Sequence, residues 1–347
     1  MSSTSSTLPF ACAAVMALWP MATLALQCPA KSEVHGVLVV QFPDESVAVR
    51  GGLNVNPDGA MASYTIGDHG FTYIANGLDL WQGGVRRACS DKANTALCNS
   101  KFSDAERRGF ATGTAEFCVF AMEVDALTPG GPLTACKGGN VAGNGKGRPR
   151  VGGELPNASG GKTSYYRSTT ALNQMLDGKS QPIDSSFVPS VVVPTSKSAM
   201  VGHVAWVAFN GKSTFAVVGD TGPAFGEGSI ALHQLLRYGQ LAPQLVGPIM
   251  TPERCSATEL SIRAPFESRP DVANDSCKLG KQPAGAADIR AYKAIGAGVT
   301  QVILGRARLP MKGMTTSAPV TVDGLRTTTE AAGYDVAQIN VMARCLD

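Results

Sequence analysis

The residues best placed to do chemistry are two acids, Asp220 and Glu227, in the stretch FAVVGDTGPAFGEGSIAL from Phe215 to Leu232. They lie seven positions apart, and each stands beside glycine, which lets backbone and substrate approach closely. Two carboxyl groups held across a cleft are the machinery of glycoside hydrolysis. One protonates the leaving oxygen, and the other activates water or attacks. The apolar run Phe215–Val218 reads as a buried strand that ends at the turn signal Gly219-Asp220-Thr221-Gly222-Pro223. Ser229 onward reads as a helix start, with Ala231, Leu232, Leu235 and Leu236 on its buried stripe. A glutamate at a helix N-terminus has its charged form favoured, whereas a general acid needs the opposite, from burial or a nearby anion. The pattern therefore leaves the acid and base roles of Asp220 and Glu227 unassigned.

Gly219-Asp220-Thr221 and Gly226-Glu227-Gly228-Ser229 resemble the signature of the family 75 glycoside hydrolases, the chitosanases: a strand ending in G-D-T, a glycine-rich loop, then G-E-A-S and a helix. Tyr165-Tyr166-Arg167-Ser168-Thr169-Thr170-Ala171-Leu172 is similar to that family's Y-V-S-T-T-x-L segment. Ile183 to Pro194 is similar to its Y-V-D-x-x-x-x-P-x-V-V-V-P segment. Leu53-Asn54-Val55-Asn56-Pro57-Asp58-Gly59 matches M-D-I-D-x-D-G more weakly, with Asn54 and Asn56 where the pattern has acids. The resemblance implies Asp220 and Glu227 as the catalytic pair and Asn54, Asn56, Asp58 and Thr221 as substrate-binding residues. It also implies an endo-acting, inverting mechanism with no cofactor and no metal, and a polysaccharide partner, chitosan or a related amino-sugar glycan. Chitosan is a polycation, and two neutral amides in place of acids weaken its attraction to the cleft. Chitin fragments and peptidoglycan are the alternative substrates. A non-catalytic glycan-binding protein is the alternative of a different class.

Other chemistries fit less well. Asp-Thr-Gly also suits an aspartic protease, but that dyad needs two matched loops and only one such triplet is present. Gly160-Gly161-Lys162-Thr163 lacks the first glycine of a phosphate loop, since position 156 is Pro156. No G-x-S-x-G elbow surrounds Ser229. His35, His69, His203 and His233 are scattered and read as core or surface residues. The bland reading of Asp220 is a turn cap, and that of Glu227 is a partner for the helix dipole.

The elements that must position these residues are read from composition and cysteines. Residues 1–25, apolar from Leu8 to Leu26 and interrupted by Pro9 and Pro20, read as a secretory signal peptide, which predicts a secreted or periplasmic protein. Cys12 lies in that leader. The eight remaining cysteines predict disulfides, with Cys89–Cys98 and Cys255–Cys277 as local closures. No CxxC pattern or Cys/His cluster argues for zinc. A net charge of +3 and the lack of a recognition motif give no reason to expect nucleic acid as a partner. No later segment approaches membrane length, and the expected state is a monomer.

Plentiful Gly and Pro suit a loop-rich β protein. The expected fold is mostly β: one barrel-like domain over 26–347 with a few peripheral helices, stabilised by disulfides. Its parts are a signature core at 165–240, a Cys-rich insertion at 80–160 and a C-terminal extension at 245–347. Strands are expected at Val191–Val193, Val204–Phe209 and Phe215–Val218, with a hairpin turn at Asn210-Gly211. Residues 245–285 read as loop and Ala286–Ile295 as a short helix. Gln301–Leu304 reads as a strand able to return to the core sheet, ahead of a Thr-rich tail tied down by Cys345.

Overall fold

The computed structural model describes residues 28–34, 36–61, 63–67, 72, 74–82, 85–156, 162–241 and 294–347. The signal peptide, Cys12, the Cys255–Cys277 pairing, the loop at 245–285, all but the end of the helix expected at 286–295, His35 and His69 lie outside them.

Six strands close into a barrel. They are β1 (Val47–Asn56), β2 (Ser190–Pro194), β3 (His203–Phe209), β4 (Lys212–Gly222), β5 (Glu227–Ser229) and β6 (Ile295–Arg308). The ring runs β1–β5–β2–β4–β3–β6 and back to β1. β1–β5 and β2–β4 are parallel, and the other four contacts are antiparallel. Strand content exceeds helix content by 43% to 21%, so the fold is mostly β as expected. The hairpin β3–β4 turns at Asn210 and Gly211, both at positive φ (47° and 76°). The returning strand is longer than Gln301–Leu304. β6 pairs with both β3 and β1 and closes the ring, so this part of the C-terminal region belongs to the core.

The apolar runs of β3 and β4 are continuous rather than alternating because both faces are covered. Val204 to Val207 and Phe215 to Val218 are all buried. Outside the barrel, α2 (Ile230–Tyr238) lies on β4, α3 (Val322–Ala331) on β4 and β6, and α4 (Val336–Arg344) on β6 and β1. The last two helices occupy the tail that read only as Thr-rich. α4 opens with a capping box between Asp335 and Gln338 and buries Ile339, Met342 and Ala343. Cys345 at its end is tied to Cys28, and Asp347 pairs with Arg50 of β1 at 2.6 Å.

Residues between β1 and β2 build a second core. Helix α1 (Lys92–Arg107) covers a five-stranded sheet, with Phe102 edge-on to Phe110, Phe117 and Tyr166. Cys89–Cys98, as expected, and Cys118–Cys136 staple it. The glycine- and base-rich stretch Lys137–Gly153 contributes the strands Gly139–Ala142 and Arg148–Pro149 and enters Val151–Pro156. Among the described residues no helix is long and apolar enough to cross a membrane.

Candidate active site

β4 does not stop at Gly219. It runs on to Gly222, so Asp220 sits on a strand and not in the expected turn. Its pairing with β2 slips by one residue: Val191 faces Val218, and Val192 faces Asp220. Gly219 is the extra residue of a bulge, a device that re-aims the next side chain. A Cβ on Gly219 would stand 2.5 Å from Ile183 Cδ1 and 2.8 Å from Ser190 Cβ, so only glycine fits. The segment Ser168–Leu172 docks on this bulge. Leu172 N–H donates to the Gly219 carbonyl (2.8 Å), and Ala171 N–H donates to Asp220 Oδ1 (3.0 Å). Thr221 N–H donates to the same oxygen at 2.8 Å.

Glu227 opens β5, beside Asn54 of β1. The N-cap of α2 is Ser229, whose hydroxyl accepts from Leu232 N–H, so Glu227 lies ahead of the first turn. The helix dipole expected to favour its charged form does not prevail, because burial pushes the Glu227 carboxyl up. Asn56 reaches both acids: its Nδ2 lies 3.5 Å from Glu227 Oε2, and its side chain also bonds Asp220. It is thus committed to the carboxyls rather than open to a substrate amine. Asn54 is exposed at the same end of β1, and its carbonyl accepts from His233 Nε2 (3.2 Å). Burial holds His233 neutral, its pKa down to about 3. Thr221 is half-buried next to Asp220.

Asp58 joins the pair from the turn after β1. Its N–H donates to Asn56 Oδ1 (2.8 Å), and its carboxyl takes hydrogen bonds from Tyr64 and from Ser168 Oγ (3.4 Å). The turn depends on Gly59, at φ +88°, where a Cβ would lie 1.9 Å from the Ile183 carbonyl oxygen. Gly59 N–H donates to Ser168 Oγ (2.9 Å). Tyr64 and Ser168 belong to this site yet were given no role in the sequence reading. Ser168 lies within the Tyr165–Leu172 segment, which was its only signal.

Asp58, Asp220 and Glu227 are each half-buried, shielded from bulk water yet reachable. Burial raises all three carboxyls. The charge of Asp220 pushes Asp58 further up, well above the ordinary range, and Asp220 itself rises to about 6. Chemically, such a group can carry a proton at neutral pH beside a carboxylate able to take one. Among the described residues no cluster of three or more His, Cys, Asp or Glu side chains is arranged to hold a metal ion.

Raised carboxyls cost stability as they ionise. The folded Asp220 holds its proton up to about pH 6, against 3.8 for the ordinary group. Its contribution is therefore full below about pH 4 and lost as pH rises through 6. Asp220→Asn should thus become more stable relative to wild type as pH rises from 4 to 7, by about 1–3 kcal/mol. Urea unfolding of both chains across that range measures this, and a pH-independent difference would contradict it.

Two concavities lie on the second core's side of the molecule. The larger, about 410 Å³ around Trp81, Lys101 and Glu116, shares no residue with the carboxyl cluster. The smaller, about 290 Å³, is lined by Phe120, Met122, Glu123, Arg150 and Thr169. It includes Thr169, but none of Asp58, Asp220 and Glu227 lines it. No family model matches the chain, and no curated protein matches it.

Proposed function

We propose that this chain is a glycoside hydrolase similar to the family 75 chitosanases, cleaving a β-1,4-linked amino-sugar polysaccharide by inversion. The observation that carries the reading is the convergence of Asp220 and Glu227, from two strands and around Asn56, into a half-buried cluster with raised carboxyls. A protonated carboxyl gives its proton to the glycosidic oxygen as the C1–O bond breaks. A carboxylate takes a proton from the water that attacks C1 from the opposite face. Three disulfides support export to an oxidising compartment.

The test is incubation with chitosan, chitin and peptidoglycan, mass spectrometry of the products, and NMR of the newly formed anomer. Release of shorter oligomers with inverted configuration is expected. No cleavage of any of the three would sink the hydrolase reading and leave a glycan-binding protein as the alternative.

Asn54 and Asn56 separate the substrates. Asn54 is exposed, so Asn54→Asp should add attraction for a glucosamine ammonium worth about 1 kcal/mol, roughly fivefold in kcat/KM on deacetylated oligomers. Asn56→Asp should instead reduce turnover on every substrate. It removes a donor to both acids and adds a like charge. If Asn54→Asp leaves the ratio of deacetylated to acetylated substrate unchanged, the electrostatic account of substrate choice is wrong.

A further inference from the structure

We propose that His233 is a positioning residue of the active site: its buried imidazole fixes the backbone of Asn54, the residue against which Glu227 is set. This deepens the hydrolase reading and rests on it.

The pairing that brings Glu227 to the site is short. β5 has only three residues, matched in parallel to Asn54, Val55 and Asn56 of β1. A slip of one position would turn Glu227 to the other face and part it from Asn56. Asn54 is held at both polar groups of its backbone. Its N–H donates to the Gly226 carbonyl (2.7 Å), and its carbonyl accepts from His233 Nε2 (3.2 Å). Gly226 directly precedes Glu227, and His233 follows in the first turn of α2. One continuous segment thus grips Asn54 twice, with Glu227 between the two grips. The start of α2 is itself pinned to the barrel. The Ser229 hydroxyl accepts from Leu232 N–H (3.1 Å) within the helix and from Ser190 N–H (2.9 Å) of β2.

The imidazole suits this task. A carbonyl only accepts, so His233 Nε2 carries the hydrogen, and a neutral ring then has a bare Nδ1. That Nδ1 is buried and has no hydrogen-bond partner among the described residues. Burial, and then the charge of Arg237 one turn along, keep the ring uncharged. An orphaned buried nitrogen costs stability that an apolar side chain would avoid. The Nε2 bond is what histidine supplies here and an apolar residue does not. His233 acts through Asn54 and takes no proton in the reaction.

Three variants separate the bond from the bulk. His233→Leu fills the space without a donor and should lower kcat on the cleaved glycan at least about tenfold, since misplacement of a reacting group by about 1 Å can cost a hundredfold. KM should stay within about twofold, because binding along the glycan is untouched. His233→Gln carries an amide nitrogen where Nε2 stands and should keep kcat within about threefold of wild type. His233→Asn reaches only as far as Nδ1 and should fall with the leucine variant. Equal losses in all three, or a change in KM alone, overturn the proposal. Imidazole ¹⁵N NMR of the wild-type chain, with His233 assigned through its own backbone, needs no variant and no substrate. The expected spectrum is one neutral tautomer, protonated at Nε2 and unchanged from pH 5 to 8. A proton on Nδ1, or titration in that window, overturns the contact even if the chain hydrolyses glycan. The expected tautomer with no cleavage of any glycan by the wild-type chain removes the hydrolase reading, and the positioning role falls with it.

Discussion

Asp220→Asn and Glu227→Gln are each expected to lower hydrolysis at least about a hundredfold, with the fold intact. Both swaps preserve shape. The amide that replaces Asp220 would keep a side-chain oxygen for the N–H groups of Ala171 and Thr221, which now hold Asp220 Oδ1. The amide that replaces Glu227 would still offer an oxygen to Asn56 Nδ2. What each loses is the ability to carry or accept a proton at the reacting centre. The two should differ in what restores them. Truncating to alanine whichever of the two acts as base opens room for a small anion such as azide to attack in place of activated water. An activated aryl leaving group should instead relieve the amide variant of whichever acts as acid, so the pair of rescues assigns the roles. Kinetics beside thermal unfolding decide the matter: near-normal turnover in either variant at unchanged thermal stability removes that residue from the mechanism.

Removing the Cys28–Cys345 disulfide should cost the most stability of any single change in the described residues that leaves the active site untouched. The bond joins residues separated by 317 positions and so closes nearly the whole chain. In the loop-entropy account such a closure is worth about 6 kcal/mol, with measured losses generally about 2–5 kcal/mol. The bridge also anchors α4, which covers β6 and β1, while Arg50–Asp347 alone would remain as an exposed ion pair of small worth. Denaturant unfolding of Cys28→Ser/Cys345→Ser should therefore show a loss of at least about 2 kcal/mol. The residual native chain should keep its turnover of the proposed glycan substrate, because Glu227 lies beside Asn54 and Asn56 at the C-terminal end of β1. A loss below about 1 kcal/mol would show that packing of α4 suffices without the bridge.

The local elements that the sequence determined are those whose signals lie within a few residues. The apolar runs at 191–193, 204–209 and 215–218, the Asn210-Gly211 turn and the helix after Glu227 all stand where the pattern placed them. So does Cys89–Cys98, a closure over nine positions. The glycine-flanked acids Asp220 and Glu227 were also legible, because close backbone approach restricts residue type.

Other features were decided only by tertiary structure. Gly219 reads as a turn until β2 pairs alongside β4 and turns it into a bulge, which sends Asp220 towards Ala171. Asn56 reads as an altered substrate contact until parallel pairing of β1 with β5 sets it against Glu227. Asp58 gains its proton affinity from burial and from a carboxyl far away in the chain. Parallel pairing, barrel closure and burial are contacts between distant segments, and the acidity of a carboxyl depends on the solvent and charges that those contacts bring to it.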